Sequence, residues 1–481
     1  MKKRTLMIVL MLSVVHFALS AYFGIVILGS TPHVPDSAVY YRQGILLIQG
    51  RLFIGNFSRE PREAFHLIGS FVKNGNFYFQ YNHFWPLLLA LPIRLHFAQF
   101  FSPLLSAISL ILVYLIATKL YDQKSGCIAA LFYCVSPLTI ILAGDYMTHT
   151  ATQLFLLAGI YFGLMYVEDP RVWAAFFSGI FLGYAFGLRQ LTAIAVAFPV
   201  VVYAILFHRK QILKIRAVFF IIGSLIMFVL FLADNYVVNG SAIKVINPIQ
   251  SSPTYSIISV KNLPIGINIG DSTLAFLPPI IFHNFFPVLF FALVFIPPIV
   301  YRKREDFLLL LIFFSLFILY MFTGAMGTHG YGPRYLFEAL FALFILASRG
   351  VIWVYDQVRG ARRIALLLFF AAMLIYNSIG LYTILPMYKN YNLIPSDLVG
   401  ELRKLDLANS IIIIGQSPHW FNDGITATLY DPNYEKSFFI KELPNKEHEK
   451  ILGQYPNKTV YMLANNQISL YEWNNSKSHE S

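Results

Sequence analysis

MKKRTLMIVLMLSVVHFALSAYFGIVILG, residues 1–29, decides the class of fold. Three basic residues lead an apolar run of about 25 residues, long enough to cross a bilayer as a helix. A secretory leader would end at a small-x-small cleavage site, and none follows closely. The run therefore reads as a retained helix, with Lys2, Lys3 and Arg4 holding the N-terminus in the cytoplasm. Composition agrees: 57% of the 481 residues are hydrophobic, 12% are charged and the mean hydropathy is +0.62. That is a polytopic membrane protein rather than a string of soluble domains.

Further apolar runs, separated by polar breaks, predict about eleven spans, near 5–29, 97–120, 127–143, 151–167, 172–187, 191–207, 217–234, 277–300, 307–323, 335–348 and 364–385. With the N-terminus inside, the alternate breaks KLYDQKSG, EDPR, HRKQILKIR, RKRED and RGVIWVYDQVRGARR are inside loops; together with the N-terminus they hold 17 of the 36 Lys and Arg. The short breaks expected outside, GDYMTHT, LRQ and MGTHGYGPR, hold two, Arg189 and Arg334. This asymmetry predicts that loops 30–96 and 235–276 and everything from 387 onward lie outside. Cysteines introduced singly at Ser58, Ser252 and Ser437 should then react with an impermeant thiol reagent in intact cells. Protection of all three would invert the topology.

The net charge of +12 reflects those inside loops, and no nucleic-acid-binding module accompanies it. Cys127 and Cys134 lie in one apolar run and read as free thiols; there is no disulfide framework or zinc pattern. No fixed-period repeat supports a repeat-built transporter.

The first long loop opens with STPHVPDSAVYYRQGILLIQGRL, residues 30–52. Its apolar spacing predicts a helix lying at the membrane surface. YNHFWPLLLALPIRLHF (81–97) is too short and too proline-broken to span, and is expected to be interfacial as well. In the tail, SIIIIGQS and KTVYMLAN predict short buried strands and PSDLVGELRKLDL a helix. The expected architecture is an all-α polytopic bundle, 1–386, followed by a small α/β or mostly β extracytoplasmic domain, 387–481.

Asp36 is the sharpest chemical feature. A carboxylate just beyond a span is placed to be partly desolvated and to act as a base; the alternative is an N-cap for the helix that follows. Several segments on its side of the membrane fit one pattern. PDSAVYYRQGILLIQGRL resembles the first-loop Asp motif of the GT-C glycosyltransferases, in particular the protein O-mannosyltransferase and aminoarabinose-transferase-like enzymes (glycosyltransferase family 39-like). YNHFWPLLLALPIRL, SPLTIILAGDYMTHTATQLF and GYGPRYLFEALFALFILAS are similar to that family's segment before the second span, its second outer loop and its late Arg-Tyr-Leu span entry. The resemblance covers roughly 1–385. It implies a polyprenyl-phosphate sugar donor, an acceptor on a lipid, glycan or protein, and inverting transfer outside the cell membrane.

On that basis Asp36 is the expected base, with Asp145 a partner in orienting acceptor or ion, or else a cap on the next span. Ser37 stands where many relatives carry a second acidic residue, so a divalent metal held by a first-loop pair gains no support, and no other cofactor is implied. Arg189, Arg334 and His149 are candidates for the donor phosphate, the arginines otherwise snorkelling to water. Glu338, four residues after Arg334, offers it an ion pair on one helical face. Arg42 and Arg51 can also serve phosphate, or form the solvated face of a surface helix, and His329 shares the outer side. Tyr40, Tyr41, His83, Trp85 and Tyr331 are expected to line the substrate site, the aromatic ones otherwise anchoring at the interface. The rival class is a transporter or lipid flippase, which would place ionisable groups at mid-membrane and break its helices in paired halves.

Overall fold

The computed structural model describes residues 3–32, 34–53, 70–73, 76–79, 81–212, 215–242, 244–245, 255–256, 288–323, 334–389, 409–415, 438–443, 448–464 and 467–472. Within them, every expected span falls on a helix. The first, α1 (Lys3–Tyr22), runs on through one π-helical turn, Phe23–Ile27. It is followed by α2 (Pro35–Ile48), α3 (Phe84–Arg94), α4 (Ala98–Leu120), α5 (Gln123–Val135) and α6 (Pro137–Ala143). Next come α7 (His149–Glu168), α8 (Val172–Leu188), α9 (Gln190–Phe207) and α10 (Val218–Asn239). After these stand α11 (Val288–Val300), α12 (Arg304–Thr323), a 3-10 segment Arg334–Ala339, α13 (Leu340–Gln357) and α14 (Ala361–Lys389).

Among the described residues seven helices are long and apolar enough to cross a membrane, or eight with a bent pair, against about eleven spans expected. That pair replaces the straight span expected at 127–143: α5 and α6 meet at 61° because Pro137 forces Ser136 into an extended conformation. The inside loop expected from Arg349 is also shorter than foreseen, since α13 continues to Gln357.

The bundle is arranged around α13. Residues 340–347 are buried on every side, as an all-round apolar helix must be when it stands at the centre. Around it α4 packs on α1, α5 and α7, α8 lies between α7 and α10, and α9 pairs with α12. The α8–α10 crossing is close because Gly179 faces Phe220 and Gly223 faces Phe176; a Cβ on either would stand 2.1 or 2.4 Å from the opposing carbonyl oxygen. Small residues let the two backbones approach where lipid supplies no hydrophobic drive. Outward faces of α9, α10 and α14, including Phe198, Leu225 and Leu368, are apolar and exposed, as lipid-facing surfaces require.

The segments expected to share a face gather at one end of the bundle. Arg349 pairs with Asp122 at 3.0 Å, Tyr121 with Asp306, Lys119 with Glu168, and Tyr203 donates to Glu305 at 2.9 Å. Asp36, Asp145, Arg189 and Arg334 lie toward the other end.

SIIII and TVYMLA are strands, as expected. Beside the two-stranded ladders β1 (Ser70–Lys73) with β2 (Asn76–Phe79) and β3 (Lys244–Val245) with β4 (Tyr255–Ser256), they form part of a four-stranded sheet of order β6 (Phe438–Lys441), β5 (Ser410–Ile414), β7 (Thr459–Ala464), β8 (Gln467–Leu470). The first three of these strands are parallel and β8 is antiparallel. The expected helix over 396–408 lies outside the described residues. Ile411, Ile413, Ile440 and Val460 of this sheet share one apolar cluster with Val39 and Leu46 of α2. On another face of α2, Tyr40 joins Trp85, Leu89 and Tyr146 of the bundle. The helix expected to float at the membrane surface is thus held between bundle and sheet.

Candidate active site

Pro35 at the first position fixes the entry of α2, and Asp36 occupies its first turn, where a negative charge suits the helix dipole. It is not the cap foreseen as its alternative: Val34 holds that position and no side chain caps the helix. Instead one carboxylate oxygen accepts from the Tyr81 hydroxyl at 2.6 Å and the other from Arg334 Nη2 at 3.3 Å, with the side chain 28% exposed. Burial, and then the Asp36 charge, push the Tyr81 hydroxyl well above its ordinary pKa, so it stays protonated and keeps donating. Tyr40, raised for the same two reasons, packs its ring 4.6 Å from that of Tyr81.

Asp145 is 1% exposed and caps nothing; the helix after it starts from Thr148. It accepts from the Ser37 hydroxyl at 2.9 Å and from the Tyr146 backbone N–H at 2.6 Å. Ser37 therefore ties α2 to the α6–α7 turn beside Asp36. A close approach supports the same turn: a Cβ on Gly24 would stand 2.5 Å from the Gly144 carbonyl oxygen. Trp85, 1% exposed, donates its indole N–H to the Tyr146 carbonyl at 2.7 Å and stacks on Phe101. It braces this turn.

Arg334 is 2% exposed, and among the described residues its Nε and Nη1 have no hydrogen-bond partner. Its expected pairing with Glu338 does not occur. Arg334–Ala339 is a 3-10 segment, with three residues per turn, so the fourth residue on is rotated roughly a third of a turn away. Glu338 instead forms an ion pair with Arg189, Nε to Oε1 at 3.2 Å, and meets His149 Nδ1 at 2.8 Å, with both His149 and Glu338 fully buried, while Arg189 Nε donates to the Thr192 hydroxyl at 3.3 Å. His149 is consequently engaged by Glu338 and, at 3.4 Å, by Arg189. Arg189 also donates to the Tyr320 hydroxyl at 3.1 Å, and Tyr335 lies with Arg189 5.0 Å and Arg334 5.2 Å from its ring centre. Of the two arginines, Arg334 is the one with two nitrogens, Nε and Nη1, that have no partner among the described residues.

Arg42, expected on a solvated face, is fully buried, whereas Arg51 is exposed. Tyr41 packs edge-on against Tyr146. Tyr331 and His329 lie outside the described residues. Among the described residues no three His, Cys, Asp or Glu side chains are grouped to hold a metal ion.

Two participants escaped the sequence reading. Asp234, near the end of α10, accepts from the His83 backbone N–H at 2.8 Å and meets its Nδ1 at 2.7 Å. An acid within FVLFLADNY, at the end of an apolar helix, was the available signal. Gln153 donates to the Phe337 carbonyl at 2.8 Å and accepts from the Tyr133 hydroxyl at 2.6 Å. Tyr133 also meets Ser106, which meets His16, so a buried polar chain runs from α1 to the segment carrying Arg334. Gln153→Leu would strand a carbonyl and a hydroxyl in the core and should lower stability by about 1–3 kcal/mol, read as a fall in the thermal midpoint of the purified protein. An unchanged midpoint would show that the chain does not hold this segment.

Residues 92–234 match the sequence profile of the family described as dolichyl-phosphate-mannose-protein mannosyltransferase. No curated protein matches. The structure of ArnT from Cupriavidus metallidurans bound to undecaprenyl phosphate superposes with a TM-score of 0.59 at 14% identity, covering 94% of this chain and 91% of that one. The chain has the GT-C membrane glycosyltransferase fold. The apo oligosaccharyltransferase of Archaeoglobus fulgidus shares it, with a TM-score of 0.54 at 13% identity over 86% of this chain. The chain spans only 64% of that longer enzyme.

Proposed function

We propose that the protein transfers a sugar from a polyprenyl-phosphate donor to an acceptor hydroxyl on the extracytoplasmic face, with inversion at the anomeric carbon. One observation carries the reading: a part-exposed carboxylate and a buried guanidinium whose Nε and Nη1 have no partner among the described residues stand together, Asp36 against Arg334. The first is what an acceptor hydroxyl needs and the second what a departing phosphate needs. The GT-C fold, and the undecaprenyl phosphate held by ArnT, support a lipid-linked donor.

In the reaction the acceptor oxygen attacks the anomeric carbon while Asp36 takes its proton. The bond from that carbon to the phosphate oxygen breaks, and the phosphate keeps the electron pair. Arg334 Nε and Nη1 take up the growing charge, and Arg189 adds field while Glu338 and Tyr320 hold it in place. Tyr81 aims the Asp36 carboxylate, and Asp145, through Ser37, fixes the helix turn that carries it. In this reading residues 1–386 form the catalytic unit, and the outer domain 387–481 backs α2 and shapes the acceptor's approach.

The test is consumption of a polyprenyl-phosphate hexose or pentose by purified protein in detergent, with lipid, glycan and peptide acceptors. Release of polyprenyl phosphate that depends on one of them supports the reading. Movement of the intact donor between the leaflets of a liposome, without cleavage, would favour the transporter.

A further inference from the structure

A cavity of about 470 Å³ lies between α4, α7, α8, α9, α10 and α12. Its lining on α7 runs from Gly159 to Val167, roughly 15–27 Å along the helix from His149, and on α12 from Leu308 to Ile312, short of Tyr320. Its inner end reaches Phe341, close in sequence to Glu338, and its mouth lies at His208, Ile215 and Val218, at the end of the bundle away from Asp36. The cavity therefore opens in the half of the bundle that faces the other leaflet.

Its wall is almost wholly apolar, and Ile205, Ile215, Val218 and Ile221 along it are exposed, so it opens sideways through the lipid-facing surface between α9 and α10. Its rim is cationic. Arg216 sits between the lining residues Ile215 and Ala217, and Arg304 lies 4.5 Å over the ring of Phe207, beside the lining residue His208. The loops at this end, KLYDQKSG, EDPR, HRKQILKIR and RKRED, hold ten Lys and Arg against five Asp and Glu. Those acids are engaged: Asp122 by Arg349, Glu168 by Lys119, Asp169 by Arg171, Glu305 by Tyr203 and Asp306 by Tyr121. An apolar slot open to the bilayer, with an excess of positive charge at its mouth, is complementary to an anionic headgroup carrying a hydrocarbon chain.

We propose that this cavity binds one acyl chain of an anionic glycerophospholipid, its headgroup against Arg304 and Arg216, in the leaflet opposite the transfer site. A polyprenyl donor has its only charge at the Asp36 end, and its far tail would gain nothing from this rim.

The experiment uses the full chain in nanodiscs of phosphatidylglycerol and phosphatidylcholine in equal parts, followed by transfer to detergent and native mass spectrometry of the lipids retained. One phosphatidylglycerol should be kept in preference to phosphatidylcholine. Arg304→Gln should reduce that preference about fivefold, the effect of one cation near a membrane surface. Ala204→Phe, which places a ring in the cavity, should abolish retention of both lipids, whereas Asp36→Asn should change neither. Retention in proportion to the mixture, or unchanged in a folded Ala204→Phe protein, would overturn the proposal. Displacement of the retained lipid by added polyprenyl phosphate would also overturn it, giving the cavity to the donor's tail.

Discussion

Asp36→Asn should fold, bind the lipid donor and transfer sugar at least about 100-fold more slowly, since removal of a positioned general base typically costs 10²–10⁴-fold. The substitution is nearly isosteric, so an amide oxygen can still accept from Tyr81 or Arg334 and keep α2 seated. What it removes is the capacity to take a proton at neutral pH. Packing is not at stake: the contacts that hold α2 are made by Tyr40, Val39 and Leu46 on its other faces. Asp36 supplies no cap whose loss could mimic the effect. A folded Asp36→Asn protein with near-normal turnover would remove the central residue from the mechanism.

Arg334→Met should weaken use of the lipid donor by roughly 10- to 150-fold, the equivalent of about 1.5–3 kcal/mol for a charge-assisted contact. Methionine keeps an unbranched apolar stem and deletes every donor. The variant leaves Asp36 without its cationic partner, but that side chain is 28% exposed and can be hydrated, which limits the usual penalty of a broken buried pair. It also removes two buried N–H-bearing atoms that have no partner among the described residues. Stability should therefore change much less than donor affinity. Arg189→Met offers the contrast. It strips the buried Glu338 and His149 of their cation, so its first effect should be on folding. Equal donor affinity in a folded Arg334→Met protein and the wild type would reduce Arg334 to a structural partner of Asp36.

The helices were legible because burial in lipid imposes long apolar runs, and the clustering of Asp36, Arg189 and Arg334 at one end followed from counting alternate breaks. SIIII was legible as a strand because a parallel strand buried on both faces reads as a continuous apolar run, and TVYMLA because its β-branched and aromatic residues suit a half-buried strand. What escaped depends on geometry that spacing does not encode. Glu338 was assigned to Arg334 on α-helical spacing, and three residues per turn at Arg334–Ala339 redirected it to Arg189 and His149. Arg42 was placed on a solvated face because its helix looked interfacial, whereas a sheet more than 350 residues later in the chain covers that helix. Trp85 looked like an anchor or a stacking wall until its indole found the Tyr146 carbonyl. The pairing of His83 with Asp234, 151 residues apart, is a tertiary fact with no local signature.

The account's central claim is a single displacement in which Asp36 serves as base and never as nucleophile. The most direct measurement is the anomeric configuration of the first-formed product, by proton NMR, with purified protein, a donor of defined anomer and the acceptor that supports turnover. The account predicts a product of inverted configuration, with one polyprenyl phosphate released for each sugar transferred. A product that retains the donor's configuration would contradict it.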